Sequence, residues 1–163
     1  MSVKVECDGF KIEFKEVVNA FIFDEKDKKK TNTYHGMSHA MKAVDIVVEL
    51  PDSHFFIEIK NFNEPEKYRE SDKYQYLLKT LKYKYRDSWL YYRCEDKINK
   101  PIKYICLLEL ETPLLIKVTK DLKKQLPVSR AGPRWQQEIC NSCAVINLAL
   151  WKERFPDWPI TQL

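Results

Sequence analysis

Val44-Asp45-Ile46-Val47-Val48-Glu49-Leu50, a turn at Pro51-Asp52-Ser53, and Phe55-Phe56-Ile57-Glu58-Ile59-Lys60 together decide the fold. Both runs are rich in β-branched and aromatic residues, which fit a pleated, buried surface, and the proline and aspartate between them supply turn chemistry. The pattern predicts a β-hairpin inside the core. Asp45, Glu58 and Lys60 stand in it where packing residues belong. Charges in such strands cost several kcal/mol unless they are paired or bind a metal. Three of them in one hairpin mark a candidate site.

Residues directly opposite in an antiparallel pair point to one face, and faces alternate with period two. A two- or four-residue loop sets Asp45 opposite Lys60 and Glu58 opposite Val47, so the three charges share a face within roughly 5–8 Å. A loop of the other parity splits Asp45 from its partners. Two carboxylates at that spacing suit one divalent cation. Hard oxygens, joined by the Ile59 backbone carbonyl, favour Mg²⁺ or Mn²⁺ over zinc. Such an ion polarises a phosphoryl oxygen and acidifies a bound water. Lys60 is then placed to orient or deprotonate that water, or to stabilise charge developing on phosphorus. Without a metal the same charges reduce to an ion pair across the hairpin.

Outward from the hairpin, Val3–Cys7 and Phe10–Phe14 alternate around Asp8-Gly9, a strong type I′ turn signal, and predict an opening hairpin. Phe14, Val17, Val18, Phe21 and Ile22 fall at helical spacing, predicting a helix over about 14–23 with Glu13 or Glu16 near its start. His35-Gly36-Met37-Ser38-His39 reads as a loop leading into Asp45, with His35 near substrate. After the hairpin, Ser71-Asp72 opens a helix to about Tyr92. Its Tyr74, Leu78, Leu81, Tyr85, Trp89 and Tyr92 face the core, and Lys79, Lys82 and Arg86 stack on another face as nucleic-acid contacts. Lys103–Leu110 is a buried strand, Thr112-Pro113 opens a helix to about Leu126, and Trp135–Ile139 a short one. Ala144–Asn147 is a last strand, with Asn147 capping a helix that ends before Pro156. Trp151, Phe155 and Trp158 dock the C-terminal tail on the core.

An acid in one strand, then Glu-x-Lys in the next, preceded by a helix bearing an acid and followed by a helix and a strand, resembles the PD-(D/E)XK nucleases. The resemblance covers about Glu13 to Leu110 and is tightest over Met41–Lys60. It implies a restriction-endonuclease-like α/β domain, a mixed sheet flanked by helices, over residues 1–163. It assigns the metal to Asp45 and Glu58, places Lys60 near the attacking water, and gives the helix acid to Glu16, with Glu13 second. The implied activity is Mg²⁺-dependent phosphodiester hydrolysis on DNA, or secondarily RNA. The chain departs from the written motif in having Val44 before Asp45. A literal Pro-Asp occurs instead at Pro51-Asp52, but Asp52 lies six extended residues from Glu58, roughly 20 Å away. Asp45 is therefore the candidate.

Composition supports the same class. At 163 residues, with 44% hydrophobic and 13% aromatic residues, the chain builds a sizeable core. Only three glycines occur, with neither a GxGxxG nor a P-loop, which weighs against nucleotide-cofactor enzymes and ATPases. Five scattered cysteines read as reduced thiols, and the lone Cys140-x-x-Cys143 lacks a second pair for zinc. Met1–Glu6 lacks the apolar core of a signal peptide, so the expected compartment is the cytoplasm. Net charge is only +4. Lys73–Arg93 and Lys117–Arg134, however, each carry six Lys/Arg, Arg130 among them, against one acid. Two positive segments beside an acidic site fit a phosphate backbone steered to metal ions. A homodimer would suit a nuclease cutting both strands. The rival readings are a non-catalytic nucleic-acid-binding module on the same fold, or a protein-interaction subunit of a defence or toxin–immunity system.

Overall fold

The computed structural model describes residues 1–129 and 132–163; Arg130, counted above in the second basic segment, lies outside them. Strands β1 (Val3–Cys7) and β2 (Phe10–Phe14) form the opening hairpin, followed by β3 (Asn19–Ile22), β4 (Ile46–Glu49) and β5 (His54–Lys60). A 3-10 turn over Pro65–Arg69 leads into helix α1 (Ser71–Cys94). Then come β6 (Ile102–Leu108), α2 (Thr112–Gln125), β7 (Ser142–Ile146), α3 (Leu148–Arg154) and β8 (Ile160–Gln162). A mixed five-stranded sheet runs β3-β4-β5-β6-β7, and β1-β2-β8 make a small antiparallel one.

In the large sheet β3, β4 and β5 pair antiparallel, while β5, β6 and β7 pair parallel through the crossovers α1 and α2. β5 therefore lies at the centre, buried on both faces, which is why His54–Ile59 reads as an almost unbroken apolar run. One face, with Val47, Phe56, Tyr104 and Cys106, packs on Leu77, Leu81 and Tyr85 of α1 and Leu115 and Val118 of α2. The other, with Ile46, Val48, Ile57 and Leu107, packs on Phe10, Ile12 and Phe14 of the small sheet and on Trp151. The expected tail docking is present: Trp158 meets Phe14 and Phe55 edge-on, and its indole N–H donates to the Lys15 carbonyl at 3.1 Å. Among the described residues no helix is long and apolar enough to cross a membrane.

Three expectations are corrected. No helix spans 14–23: the chain turns at Glu16, whose φ is +57°, and Asn19–Ile22 pairs with β4 as an edge strand. A short apolar run satisfies both periods, and hydrogen bonding to β4 decides between them. No helix forms over Trp135–Ile139, and β8, unannounced by the short polar tail Thr161-Gln162-Leu163, pairs with β2. The third concerns the central hairpin. Its last pair is Glu49 with His54, leaving the four-residue loop Leu50–Ser53, so the parity is the expected one. The register is displaced by two residues, because Pro51, with φ preset for the first turn position, centres the turn on Pro51-Asp52. Ile46 pairs with Ile57, and one step further along the ladder Asp45 falls opposite Glu58, not Lys60.

Candidate functional site

Asp45 stands one residue ahead of β4, where the chain is leaving the sheet. Helix α1 holds that segment: the Val44 N–H donates to Ser88 Oγ at 2.9 Å and the Lys42 N–H to Asp87 Oδ2 at 3.0 Å. With β4 not yet begun, the Ile59 N–H lacks a strand partner, and the Asp45 carboxylate takes that place, accepting it at 2.7 Å through Oδ2. The Ile59 carbonyl leaves its strand on the same side as its N–H, toward Asp45.

Glu58, only 1% exposed, projects beside Asp45 on the α1 side of the sheet. The two carboxyl groups reach the same ammonium, that of Lys84. Burial above all, then the Asp45 charge, pushes the Glu58 carboxyl up to about 8, against the pull of Lys84. Asp45 is also raised by burial, with Lys84, the Ile59 N–H and Glu58 opposing and Asp24 adding to the rise. The cation between them is Lys84 of α1, whose Nζ lies 2.7 Å from Glu58 Oε1, 2.9 Å from Oε2 and 3.7 Å from Asp45 Oδ1. Burial draws the Lys84 ammonium down, and the Glu58 and Asp45 carboxylates reverse this and raise it.

Lys60 shares this face two residues along and borders the same cleft, but makes no ion pair among the described residues. The cleft, about 590 Å³, opens beyond the C-terminal end of β5 and is lined by Asp24, Asp45, Glu58 and Lys84, with Lys26, Lys60, Lys67 and Lys73 around them. The turn of the opening hairpin reaches it too. Asp8 and Gly9 both have positive φ, as a type I′ turn requires, and Asp8 Oδ2 accepts the Asn61 N–H at 2.9 Å.

Other candidates fall elsewhere. Glu16 borders a separate depression with Asp52 and Ser53 at the turn end of the hairpin. Glu49 to Asp45 alone spans roughly 13 Å at strand rise, so the helix acid expected to join the site is remote from it. Glu13, in β2, accepts the Ser2 hydroxyl at 2.9 Å on the exterior. The His35 side chain is only 4% exposed. Its Nδ1 accepts the Met37 N–H at 2.9 Å, so the proton sits on Nε2, which donates to Asp24 Oδ1 at 3.3 Å. Its ring lies against Phe23 and Tyr91. His35 thus contacts an acid that lines the cleft.

Lys79, Lys82 and Arg86 gather around the half-buried ring of Tyr83. At 100° per residue they lie across the helix from Lys84. Lys82 and Arg86 border instead an apolar groove with Trp89, Leu90, Leu126 and Trp135. They do not flank the carboxylates.

Two site residues escaped the sequence pattern. Asp24 opens the charged run Asp24–Asn32, which carries no local signal of a site. Lys84 was one cation among six, although its helical neighbours Leu77, Thr80, Leu81 and Ser88 are all buried. A lysine set into such a row is half-buried, and its ammonium must find a partner. Comparison with protein-family models, curated proteins and solved structures finds no match to this chain.

Proposed function

We propose that this chain is a divalent-metal-dependent phosphodiesterase of the PD-(D/E)XK kind, acting in the cytoplasm on nucleic acid, DNA before RNA. The proposal rests on one observation: Asp45 and the fully buried Glu58 lie side by side on one sheet face at the floor of an open cleft, with Lys60, which makes no ion pair among the described residues, on the same face. Like charges so placed repel unless a proton or cation lies between them. The donor set is all hard oxygen, which fits Mg²⁺ or Mn²⁺. Asp45, Glu58 and the Ile59 carbonyl would hold the ion. When bound, it would supply Lewis acidity to a phosphoryl oxygen and a more acidic water.

The chain's own residues do the rest. The Ile59 N–H and the floor of β5 fix Asp45, and burial fixes Glu58. Lys60, uncommitted to any carboxylate, orients the attacking water or meets a phosphate oxygen. Water oxygen bonds to phosphorus as the bond to the leaving oxygen breaks, and that oxygen takes up a proton. Lys26, Lys67 and Lys73 along the cleft hold flanking phosphates. Five free cysteines, with no disulfide among the described residues, support a reducing compartment.

One observation favours a second reading: Lys84 already neutralises part of the carboxylate charge, as it would in a non-catalytic nucleic-acid-binding module. Cleavage assays on duplex DNA, single-stranded DNA and RNA with Mg²⁺ or Mn²⁺ decide between them. The nuclease cuts one of these, and Asp45→Asn, Glu58→Gln and Lys60→Met each lose the activity with the fold intact. No cleavage by the wild type and no Mn²⁺ binding leave the binding module.

A further inference from the structure

We infer that Lys84 is a positioning residue of this site: its ammonium stands in for the divalent cation at Asp45 and Glu58, and it must be displaced when that cation enters. This rests on the assignment of Asp45 and Glu58 as cation ligands and goes beyond it in naming what occupies their place beforehand. Lys84 Nζ contacts both oxygens of Glu58, at 2.7 and 2.9 Å, and reaches Asp45 Oδ1 at 3.7 Å. No other cation among the described residues is within ion-pair distance of either carboxylate. An ammonium donating to both oxygens of Glu58 and a metal ion on the same oxygens exclude each other, by space and by charge.

The lysine has somewhere to go. It reaches the carboxylates on a flexible four-carbon stem, its side chain is 17% exposed, and it borders the open cleft. The root of the stem is set among buried Leu81 and Ser88, so a swing of the ammonium leaves α1 undisturbed. Turned into the cleft, it joins Lys60 as a second cation facing a bound phosphate. Among the described residues Lys60 holds no carboxylate to release, so the two lysines are inequivalent despite sharing one cleft.

The test is titration of the full chain with Mn²⁺ by calorimetry, comparing wild type, Lys84→Met and Lys60→Met. Methionine keeps the unbranched apolar stem and removes the ammonium. Displacement predicts that Lys84→Met binds Mn²⁺ about tenfold more tightly or better, while Lys60→Met, which deletes the same charge from the same cleft, gains less than about threefold. Equal or weaker binding by Lys84→Met, or an equal gain in Lys60→Met, overturns the displacement and leaves the metal site standing. No Mn²⁺ binding by either the wild type or Lys84→Met overturns both. Should Lys84→Met not fold, the wild type carries the test through the ¹⁵N resonance of the Lys84 ammonium. Displacement shifts that signal as Mg²⁺ fills the site that Asp45→Asn abolishes. An unmoved signal at saturation overturns it.

Discussion

A carboxyl group shut away from water beside a second carboxylate keeps its proton far above the usual range, and Glu58 is that group. Its ordinary value of 4.5 rises to about 8 in the folded chain. Between those values the folded state binds more protons than the unfolded one, so stability falls as pH rises through the window. The contribution is fully present below about 4.5 and gone above about 8. Urea unfolding should therefore show the wild type losing a few kcal/mol from about pH 5 to pH 9, and Glu58→Gln should lack most of that slope. Parallel slopes for the two proteins would refute the assignment. Because a metal ligand must shed its proton, Mn²⁺ affinity should climb over the same interval. His35 makes a second residue-scale case. His35→Phe keeps the ring against Phe23 and Tyr91 but strands the Met37 N–H and leaves Asp24 only its pairing with Lys26. The expected cost is about 1–3 kcal/mol in unfolding free energy.

At the scale of elements, the hairpin shows where sequence reasoning stops. Strand identity follows from alternation alone, and so does the shared face of Asp45, Glu58 and Lys60 once the four-residue loop fixes the parity. The register does not, because it depends on where Pro51 centres the turn, and that shift makes the two carboxylates direct neighbours. The helical spacing of 14–23 is intrinsic, whereas the β4 edge that captures this stretch as a strand is remote in sequence. Glu16 was lost with that helix, and Asp24 was gained. Helix α1 was foreseen as a core helix, but its role in placing Asp45 was not, since Ser88 meets Val44 across 44 residues. Ser88→Ala should therefore do two things at once. It leaves a buried N–H unpaired, costing about 1–3 kcal/mol, and it loosens the segment carrying Asp45, so Mn²⁺ affinity should fall alongside the melting temperature. A loss of stability with unchanged Mn²⁺ binding would confine Ser88 to a purely structural part.

For the whole molecule the question is which positive surface meets a polyanion. Sequence favoured Lys79, Lys82 and Arg86 because they line up on one helical face. The folded chain turns that face away from the carboxylates and toward Trp135 and Leu90. Besides Lys84, the lysines that share a cleft with Asp45 and Glu58 come from four separate segments, Lys26, Lys60, Lys67 and Lys73, which no local pattern unites. Each phosphate contact neutralised by a lysine releases counterion, so the salt dependence of binding counts such contacts. Anisotropy titrations of a labelled oligonucleotide, with Glu58→Gln as background to prevent cleavage, read that slope. Replacing Lys67 and Lys73 together by alanine should weaken binding and reduce the slope of log K against log salt by about 1.8 for duplex DNA, or about 1.4 for a single strand. Replacing Lys79, Lys82 and Arg86 together should leave both affinity and slope near the parent values. The opposite outcome would move the nucleic-acid path to the far side of α1, away from the carboxylates, and separate binding from any chemistry at Asp45 and Glu58.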